Sequence, residues 1–246
     1  MIELYGIQKS FDGRMVIKDI DAVFETGRTN LIIGQSGSGK TVLLKCVVGL
    51  LEPDAGDILY DGRSLTSMNK RERVQLRTEM GMLFQGSALF DSMTIEENVQ
   101  FPLSLFSSLS PLEQEKRAHY CLDRVGLSDS HKLFPAEISG GMQKRAAIAR
   151  AIALNPKYLF CDEPNSGLDP LTSITIDELI SDITKEFNMT TVINTHDMNS
   201  VLTMGENILF IYQGEKTWEG GHEALYHSDN ERLNEFVFAS TLMKRT

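Results

Sequence analysis

A glycine-rich segment between an apolar strand and a helix constrains the fold of this chain more than any other feature. The segment reads GQSGSGKT over residues 34–41, after the apolar run TNLII and at the start of the helical stretch KTVLLKCVV. It matches the pattern G-x-x-x-x-G-K-[ST], in which backbone N–H groups surround phosphate oxygens. Strand, loop and helix in this order open a parallel α/β unit. We therefore predict an α/β fold with a phosphate-binding loop.

Each residue type in this loop suits a nucleotide phosphate. The glycines let the backbone wrap the phosphate oxygens, Lys40 neutralises the β and γ phosphates, and the Thr41 hydroxyl is a Mg²⁺ ligand. The predicted nucleotide-binding residues are Gly34, Gln35, Ser36, Gly37, Ser38, Gly39, Lys40 and Thr41. The alternative, a glycine-rich turn that binds no nucleotide, is disfavoured by the flanking strand and helix.

Two adjacent carboxylates end the apolar run YLFCDE at residues 158–163. Successive side chains of a strand point to different faces, so the two acids can serve different purposes. Asp162 is predicted to hold Mg²⁺, directly or through water, and Glu163 to polarise the attacking water. An acidic pair at a strand end is often merely solvated, and it becomes informative here because the phosphate-binding loop is also present.

Two further polar residues follow apolar runs. His196 follows VINT, where it could reach a γ-phosphate and hold the water or the acid in place. Gln85 follows MGMLF, where its amide could touch both Mg²⁺ and a moving segment. Considered alone, His196 is better explained as a capping or core histidine. Gln85 alone is likewise better explained as an ordinary glutamine at a strand end.

Composition limits the classes of partner. The net charge is −10, which disfavours nucleic acid as a partner. Cys46, Cys121 and Cys161 are far apart in sequence, which argues for a reducing compartment and against a disulfide framework or a zinc site. No apolar stretch is long enough to span a bilayer, and the N-terminus alternates like a strand. We expect a cytosolic protein that reaches a membrane only through a partner.

The chain is predicted to form one domain over residues 1–246. Strand and turn patterns place an α/β core in residues 1–85 and 154–228, with antiparallel strands at the N-terminus. Helical patterns dominate residues 86–153, where Ser110 is a predicted N-cap and Pro111 the first helical residue. We interpret this region as an inserted helical subdomain.

A second glycine segment, ISGG at residues 138–141, opens another helix and offers N–H groups to an anion. Together with GQSGSGKT, Gln85, YLFCDEP, SGLD at 166–169 and His196, it resembles the ATPase subunit of ABC transporters across essentially the whole chain. This resemblance implies a P-loop NTPase, RecA-like core of mainly parallel sheet. It also implies a head-to-tail dimer in which each ATP lies between the loop of one subunit and the Ser-Gly-Gly of the other.

The resemblance assigns further residues around ATP and Mg²⁺. Ser139, Gly140 and Gly141 would hold the γ-phosphate bound by the partner chain, and Asp169 would contact the opposite loop. Phe11 would stack on adenine and Val16 would flank the base. The metal ligands it implies are Thr41, Gln85 and Asp162.

Within the ABC family, one branch is particularly similar. The usual LSGGQ is ISGGM here, so Met142 replaces an amide, and the basic signature helix and residues 84–103 resemble the ATPase of Mla/Mce-type bacterial phospholipid transporters. Residues 229–246 are similar to the C-terminal extension that helps hold the dimer in that branch. The alternative is the ATPase subunit of an amino-acid or other small-solute importer.

The resemblance also implies partners and a location. An integral membrane permease, with an Mce-domain protein, would place the chain at the cytoplasmic face of the bacterial inner membrane. The permease would dock in a groove near Leu89, Phe90 and Met93, unless these residues pack into the core of the helical region. Cargo contacts are expected in the membrane subunit, which leaves the cargo and the direction of transport open.

Two other function classes compete with a transporter ATPase. ABC-type repair proteins interrupt the domain with long coiled coils, and translation factors carry two such domains in one chain. This chain has neither feature. A P-loop kinase would not need ISGG or the SGLD turn.

Overall fold

In the computed structural model, which describes residues 1–238, the chain divides into two units. The first unit contains residues 1–69 and the described residues from 190 onward, and the second contains residues 70–189. Each unit combines strands with helices.

Antiparallel strands form the N-terminal part of the first unit, as the sequence predicts. β1 (Ile2–Phe11) pairs with β2 (Arg14–Phe24) and, on its other edge, with β4 (Ala55–Tyr60), which pairs with β5 (Arg63–Ser64). Asp12 and Gly13 join the first two strands with φ of 49° and 76°. Two consecutive positive φ angles match the two-residue hairpin turn that suits twisted strands.

Parallel strands form the rest of the first unit. β3 (Thr29–Ile33) lies between β8 (Thr190–Thr195) and β9 (Asn207–Tyr212), parallel to both, and β10 (Glu215–Gly220) pairs antiparallel with β9. Every residue of β3 and β8 is buried, as expected for parallel strands covered on both faces. The carboxyl ends of β3 and β8 therefore share one edge of the sheet.

Short helices complete the first unit. Their bounds are α1 (Lys40–Val47), α7 (Met198–Met204), α8 (His222–Leu225) and α9 (Glu231–Phe238). The predicted C-terminal extension, residues 229–246, begins with α9, and its residues 239–246 lie outside the described part of the chain.

The second unit pairs β6 (Met80–Leu83) in parallel with β7 (Tyr158–Asp162). Its other elements are α2 (Lys70–Thr78), α3 (Ile95–Phe106), α4 (Pro111–Arg124), a 3₁₀ turn (Pro135–Glu137), α5 (Gly140–Ile152) and α6 (Pro170–Glu186). As predicted, α4 begins with Pro111 after Ser110, whose N–H donates to the Glu113 carboxylate at 2.7 Å. No helix of residues 1–238 is both long and apolar enough to span a membrane.

Candidate nucleotide-binding site

The loop after β3 has a backbone that only glycine accommodates at two of its positions. Gly34 has φ of 150°, and a Cβ there would lie 2.3 Å from the Ile211 carbonyl oxygen. Gly39 has φ of 109°, and a Cβ there would lie 2.7 Å from Ile17 Cδ1. Because these neighbours are packed strand residues, the two glycines hold the loop tightly over the end of the sheet.

Lys40 and Ser38 present polar groups inside the loop. Lys40 is only 6% exposed, and its Nζ donates to the carbonyl oxygens of Gly34 at 2.8 Å and Gln35 at 3.1 Å. Ser38 Oγ is buried without a hydrogen-bond partner among the described residues. A buried hydroxyl normally has a partner, so this atom fits a loop that binds an acceptor such as a phosphate oxygen. Gln35, Ser36, Gly37 and Thr41 are exposed.

A cavity of about 720 Å³ adjoins the loop. This volume lies within the usual range of ligand-binding clefts, so the cavity is large enough for a nucleotide. Phe11 and Val16, the two residues that the resemblance assigns to the base, line it, and Gly37 connects it to the loop. Arg14 and Lys18 add positive charge to the wall. Phe11 ends β1 with 43% of its surface exposed, and Lys9 Nζ lies over its ring, 5.6 Å from the centroid. A base would stack on the accessible part of the ring.

We expect Phe11→Ala to raise the Kd for ATP about tenfold, because stacking of a base on an aromatic ring contributes roughly 1–3 kcal/mol. Equilibrium titration with a fluorescent ATP analogue measures this change. Phe11→Tyr keeps the ring face and is expected to bind normally. Tyr5→Ala, at another exposed aromatic residue of β1, is the matched control. Equal affinity of Phe11→Ala and the wild type would contradict adenine stacking.

His196 lies at the same edge of the sheet as the loop. Ile33 of β3 pairs in parallel register with Thr195 of β8, and the next residues along the two strands are Gly34 and His196. His196 is exposed there. Within the first unit, the strand register thus places His196 next to Gly34, the residue that begins the loop.

Gln85 and Glu163 come together in the second unit for the same topological reason. Leu83 of β6 pairs with Cys161 of β7, and each functional residue follows two positions later. Gln85 Nε2 donates to Glu163 Oε2 at 3.2 Å and to Ser166 Oγ at 3.2 Å. Asp162, the last residue of β7, is half-buried.

Glu163 has a strained backbone, with φ of 49°. A left-handed conformation costs a non-glycine residue roughly 1–3 kcal/mol and is common at functional sites. The turn redirects the chain immediately after the strand that ends at Asp162.

The predicted second anion site begins α5. Ser139 is the exposed N-cap of this helix, and its Oγ accepts a hydrogen bond from Met142 N at 3.3 Å. A Cβ on Gly141 would lie 2.7 Å from Thr172 Cγ2, so this glycine allows α5 to approach α6 closely. Asp169 caps α6 by accepting from Leu171 N and Thr172 N. Ser139, Gly140 and Asp169 are all exposed.

Two basic residues of α5 were not singled out as site residues from sequence. Lys144 is 4% exposed and donates through Nζ to the Gln85 carbonyl oxygen. Burial lowers the pKa of Lys144, against the opposing effect of the Glu163 carboxylate. Arg150 donates to the carbonyl oxygens of Ser87 at 2.7 Å and Ala88 at 2.6 Å. One helix therefore holds the segment that follows β6.

The chemistry of these residues fits ATP and Mg²⁺. The loop offers backbone N–H groups, an ammonium and an unpartnered buried hydroxyl to phosphates. Oxygen atoms of the kind that Mg²⁺ prefers are present on Thr41 in the first unit and, separately, on Gln85 and Asp162 in the second.

Comparison with known proteins identifies the family of this chain. The family model described as ABC transporter matches residues 17–166. The probable ribonucleotide transport ATP-binding protein mkl of Mycobacterium leprae is 38% identical over 236 residues, covering 96% of this chain and 68% of that protein. The methionine import ATP-binding protein MetN of Protochlamydia amoebophila is 37% identical over 226 residues, covering 89% and 66%. The chain thus spans about two thirds of the length of these relatives.

Solved structures confirm the predicted P-loop NTPase fold. MJ0796, a bacterial ABC transporter cassette solved as a dimer, matches with a TM-score of 0.81 at 32% identity, over 90% of this chain and 99% of that one. The same cassette in a post-hydrolysis state bound to ADP and Pi matches with a TM-score of 0.81 at 31% identity, over 90% and 99%. The chain belongs to the ABC transporter family and is one of its ATP-hydrolysing cassettes.

Proposed function

We propose that this ATPase powers phospholipid transport across a bacterial envelope, as a head-to-tail dimer attached to a membrane permease. The second phosphate-binding motif is the main reason to propose a dimer. Its residues Ser139 and Gly140 are exposed at the start of α5, where a second chain could present a phosphate to them. Helix N-termini bind anions through free N–H groups and the helix dipole.

In the proposed site, each group of residues has a separate task. The loop and Lys40 bind the phosphates of ATP, while Phe11 and Val16 bind the base. Thr41, Gln85 and Asp162 would hold Mg²⁺, which neutralises phosphate charge. Glu163 accepts a proton from the attacking water.

The shared site adds residues from the partner chain. Ser139, Gly140 and Gly141 of one subunit contact the γ-phosphate bound by the other, and Asp169 contacts the opposite loop. His196 holds the attacking water or the catalytic carboxylate in position. MJ0796, at 32% identity, is a dimeric cassette, which supports this arrangement.

An apolar groove in the second unit supports a permease partner. It has a volume of about 530 Å³, and four phenylalanines contribute to its lining: Phe84, Phe90, Phe101 and Phe106. Phe90 is 41% exposed, and its ring lies 4.7 Å from that of Phe101, centroid to centroid. Leu89 and Met93 are half-buried. An apolar groove of this kind suits the docking of a short helix.

We expect Phe90→Asp to abolish co-purification with the permease while ATP binding persists, because a charge in the groove would have to be desolvated. Affinity capture from native membranes followed by mass spectrometry measures the association. Leu112→Asp on α4, whose side chain is 60% exposed, is the control. Normal recovery of the permease with Phe90→Asp would exclude this groove as the docking site.

The same capture experiment tests the cargo. Met142, the segment 84–103 and the C-terminal extension favour a phospholipid system, so we expect an Mce-domain protein and bound phospholipid in the captured complex. The second candidate is a small-solute importer, favoured by the methionine import relative. Recovery of a solute permease without an Mce protein would select that candidate and leave the ATPase unaffected. Either permease would place the chain at the cytoplasmic face of the inner membrane.

A further inference from the structure

Three side chains that take no part in the proposed nucleotide site meet in the helical part of the second unit. Glu96 lies at the start of α3, His119 on α4, and His131 in the segment that follows α4. One potential ligand atom from each lies within 4.8 Å of the other two. We propose that Glu96, His119 and His131 bind a divalent transition-metal ion, with zinc as the best fit.

The backbone holds these residues together independently of any ion. Glu96 N donates to the His131 carbonyl oxygen at 3.0 Å, and Ile95 N donates to the Leu133 carbonyl oxygen at 2.8 Å. The segment after α4 thus caps the first turn of α3. The rings of His119 and His131 lie 4.2 Å apart, centroid to centroid. The ligand geometry is therefore largely formed before an ion binds.

The two carboxylate oxygens of Glu96 have different neighbours. Oε1 accepts from Gln100 Nε2 at 3.1 Å. Oε2 lies 3.2 Å from His119 Nε2 and 3.0 Å from Lys132 Nζ. The Glu96 side chain is only 7% exposed, so this charge is buried and faces the two imidazoles. Burial opposes ionisation of Glu96, but Lys132 and His119 outweigh it and lower its pKa.

His131 offers a nitrogen that the described residues leave unused. Its Nε2 is buried without a hydrogen-bond partner among residues 1–238. Burial, followed by repulsion from His119, lowers the pKa of His131, which favours the neutral imidazole that metals bind. A buried polar atom without a partner needs an explanation, and a metal ligand supplies one.

The ligand set matches zinc chemistry. Two imidazole nitrogens and one carboxylate oxygen form a known three-residue zinc set that leaves a fourth position for water. Tetrahedral bonds of about 2.0–2.2 Å place ligand atoms roughly 3.5 Å apart, so small side-chain rotations suffice. The His119 side chain is 35% exposed although its Nε2 is buried, so rotation of this ring would admit an ion from solvent. The spacing of the cysteines argues only against a zinc site that is built from cysteines. The ligands proposed here include no cysteine.

Lys132 would compete with a metal ion for the Glu96 carboxylate. Its side chain is 80% exposed, so it can leave Glu96 for solvent when an ion arrives. Its removal should therefore strengthen metal binding, whereas removal of a ligand should weaken it. If the cluster were only an ion-pair network, removal of Lys132 and removal of a histidine would not change the metal affinity in opposite directions.

The test is titration of chelator-treated full-length protein with Zn²⁺ by calorimetry, in excess Mg²⁺ to saturate sites that prefer hard cations. We expect one Zn²⁺ per chain in the wild type and at least about tenfold weaker binding in His119→Gln and in His131→Gln. Lys132→Ala is expected to bind several-fold more tightly. His227→Gln, at an exposed histidine outside the cluster, is the matched control.

Two further measurements separate loss of a ligand from loss of folding. Circular dichroism with chelator present should be the same for the wild type and for each histidine variant. Zn²⁺ should raise the Tm of the wild type but not that of His131→Gln, because an ion that binds only the folded state stabilises it. No stoichiometric Zn²⁺ binding by the wild type, or unchanged binding by correctly folded His119→Gln and His131→Gln, would overturn the proposal and leave the cluster as an ion-pair network.

Discussion

Glu163→Gln is expected to lower the ATP turnover rate by at least about 100-fold, the usual range for loss of a general base, while ATP still binds. The glutamine amide cannot accept the proton of the attacking water, yet it retains an oxygen to accept the 3.2 Å hydrogen bond from Gln85 Nε2. The site should therefore keep its shape and hold unhydrolysed ATP. Phosphate release measures turnover, and size-exclusion chromatography with ATP should detect a trapped dimer.

An exposed glutamate on α6 provides the control for this experiment. Glu178 is exposed on α6, and Glu178→Gln removes the same charge away from Gln85. This variant should hydrolyse ATP at the wild-type rate. If Glu163→Gln also kept near-normal turnover with a correctly folded chain, another group would have to be the base.

Mixing two inactive variants should restore activity if the ATP site is shared between chains. Lys40→Ala removes the ammonium proposed to bind the phosphates, and Ser139→Ala removes the hydroxyl proposed to contact the partner's γ-phosphate. In a mixed dimer, one site carries both changes and the other carries neither. If the sites act independently, an equal mixture should recover up to about a quarter of the wild-type rate, since half of the dimers are mixed.

The mixing experiment needs two controls. Each variant must be inactive alone, and Ser139→Ala must be folded, because loss of an N-cap costs about 1 kcal/mol. A chain carrying both changes, mixed with Lys40→Ala, should give no recovery. If native mass spectrometry detects mixed dimers of the single variants and activity stays absent, the two sites do not act separately or are not shared.

The sequence predicted the parts of the site that are local in the chain. The loop 34–41, the strand that ends in Asp162 and the helix start at residues 138–141 each follow from a short pattern. These patterns are short because a strand, a turn and a helix start are set by neighbouring residues. The fold class follows from their order.

Contacts between distant residues required the structure. The hydrogen bond from Gln85 to Glu163 depends on the register of β6 and β7, which no short pattern specifies. The same limit applies to Lys144 and Arg150. On sequence, both belong to a basic helical stretch. In the structure, Lys144 donates to the carbonyl oxygen of Gln85, and Arg150 donates to those of Ser87 and Ala88. Their partners lie about 60 residues away in the chain.

Helix α5 has a consequence for the thermodynamics of the cassette. It is capped by Ser139, holds Gln85 through Lys144, and reaches the apolar groove at Arg150. A 13-residue helix is about 20 Å long, so this one element extends from its first turn to the groove. If ATP binding at its first turn changes the affinity of the groove for a permease helix by some factor, the two sites are coupled. By reciprocity, a permease helix in the groove must then change the affinity for nucleotide by the same factor.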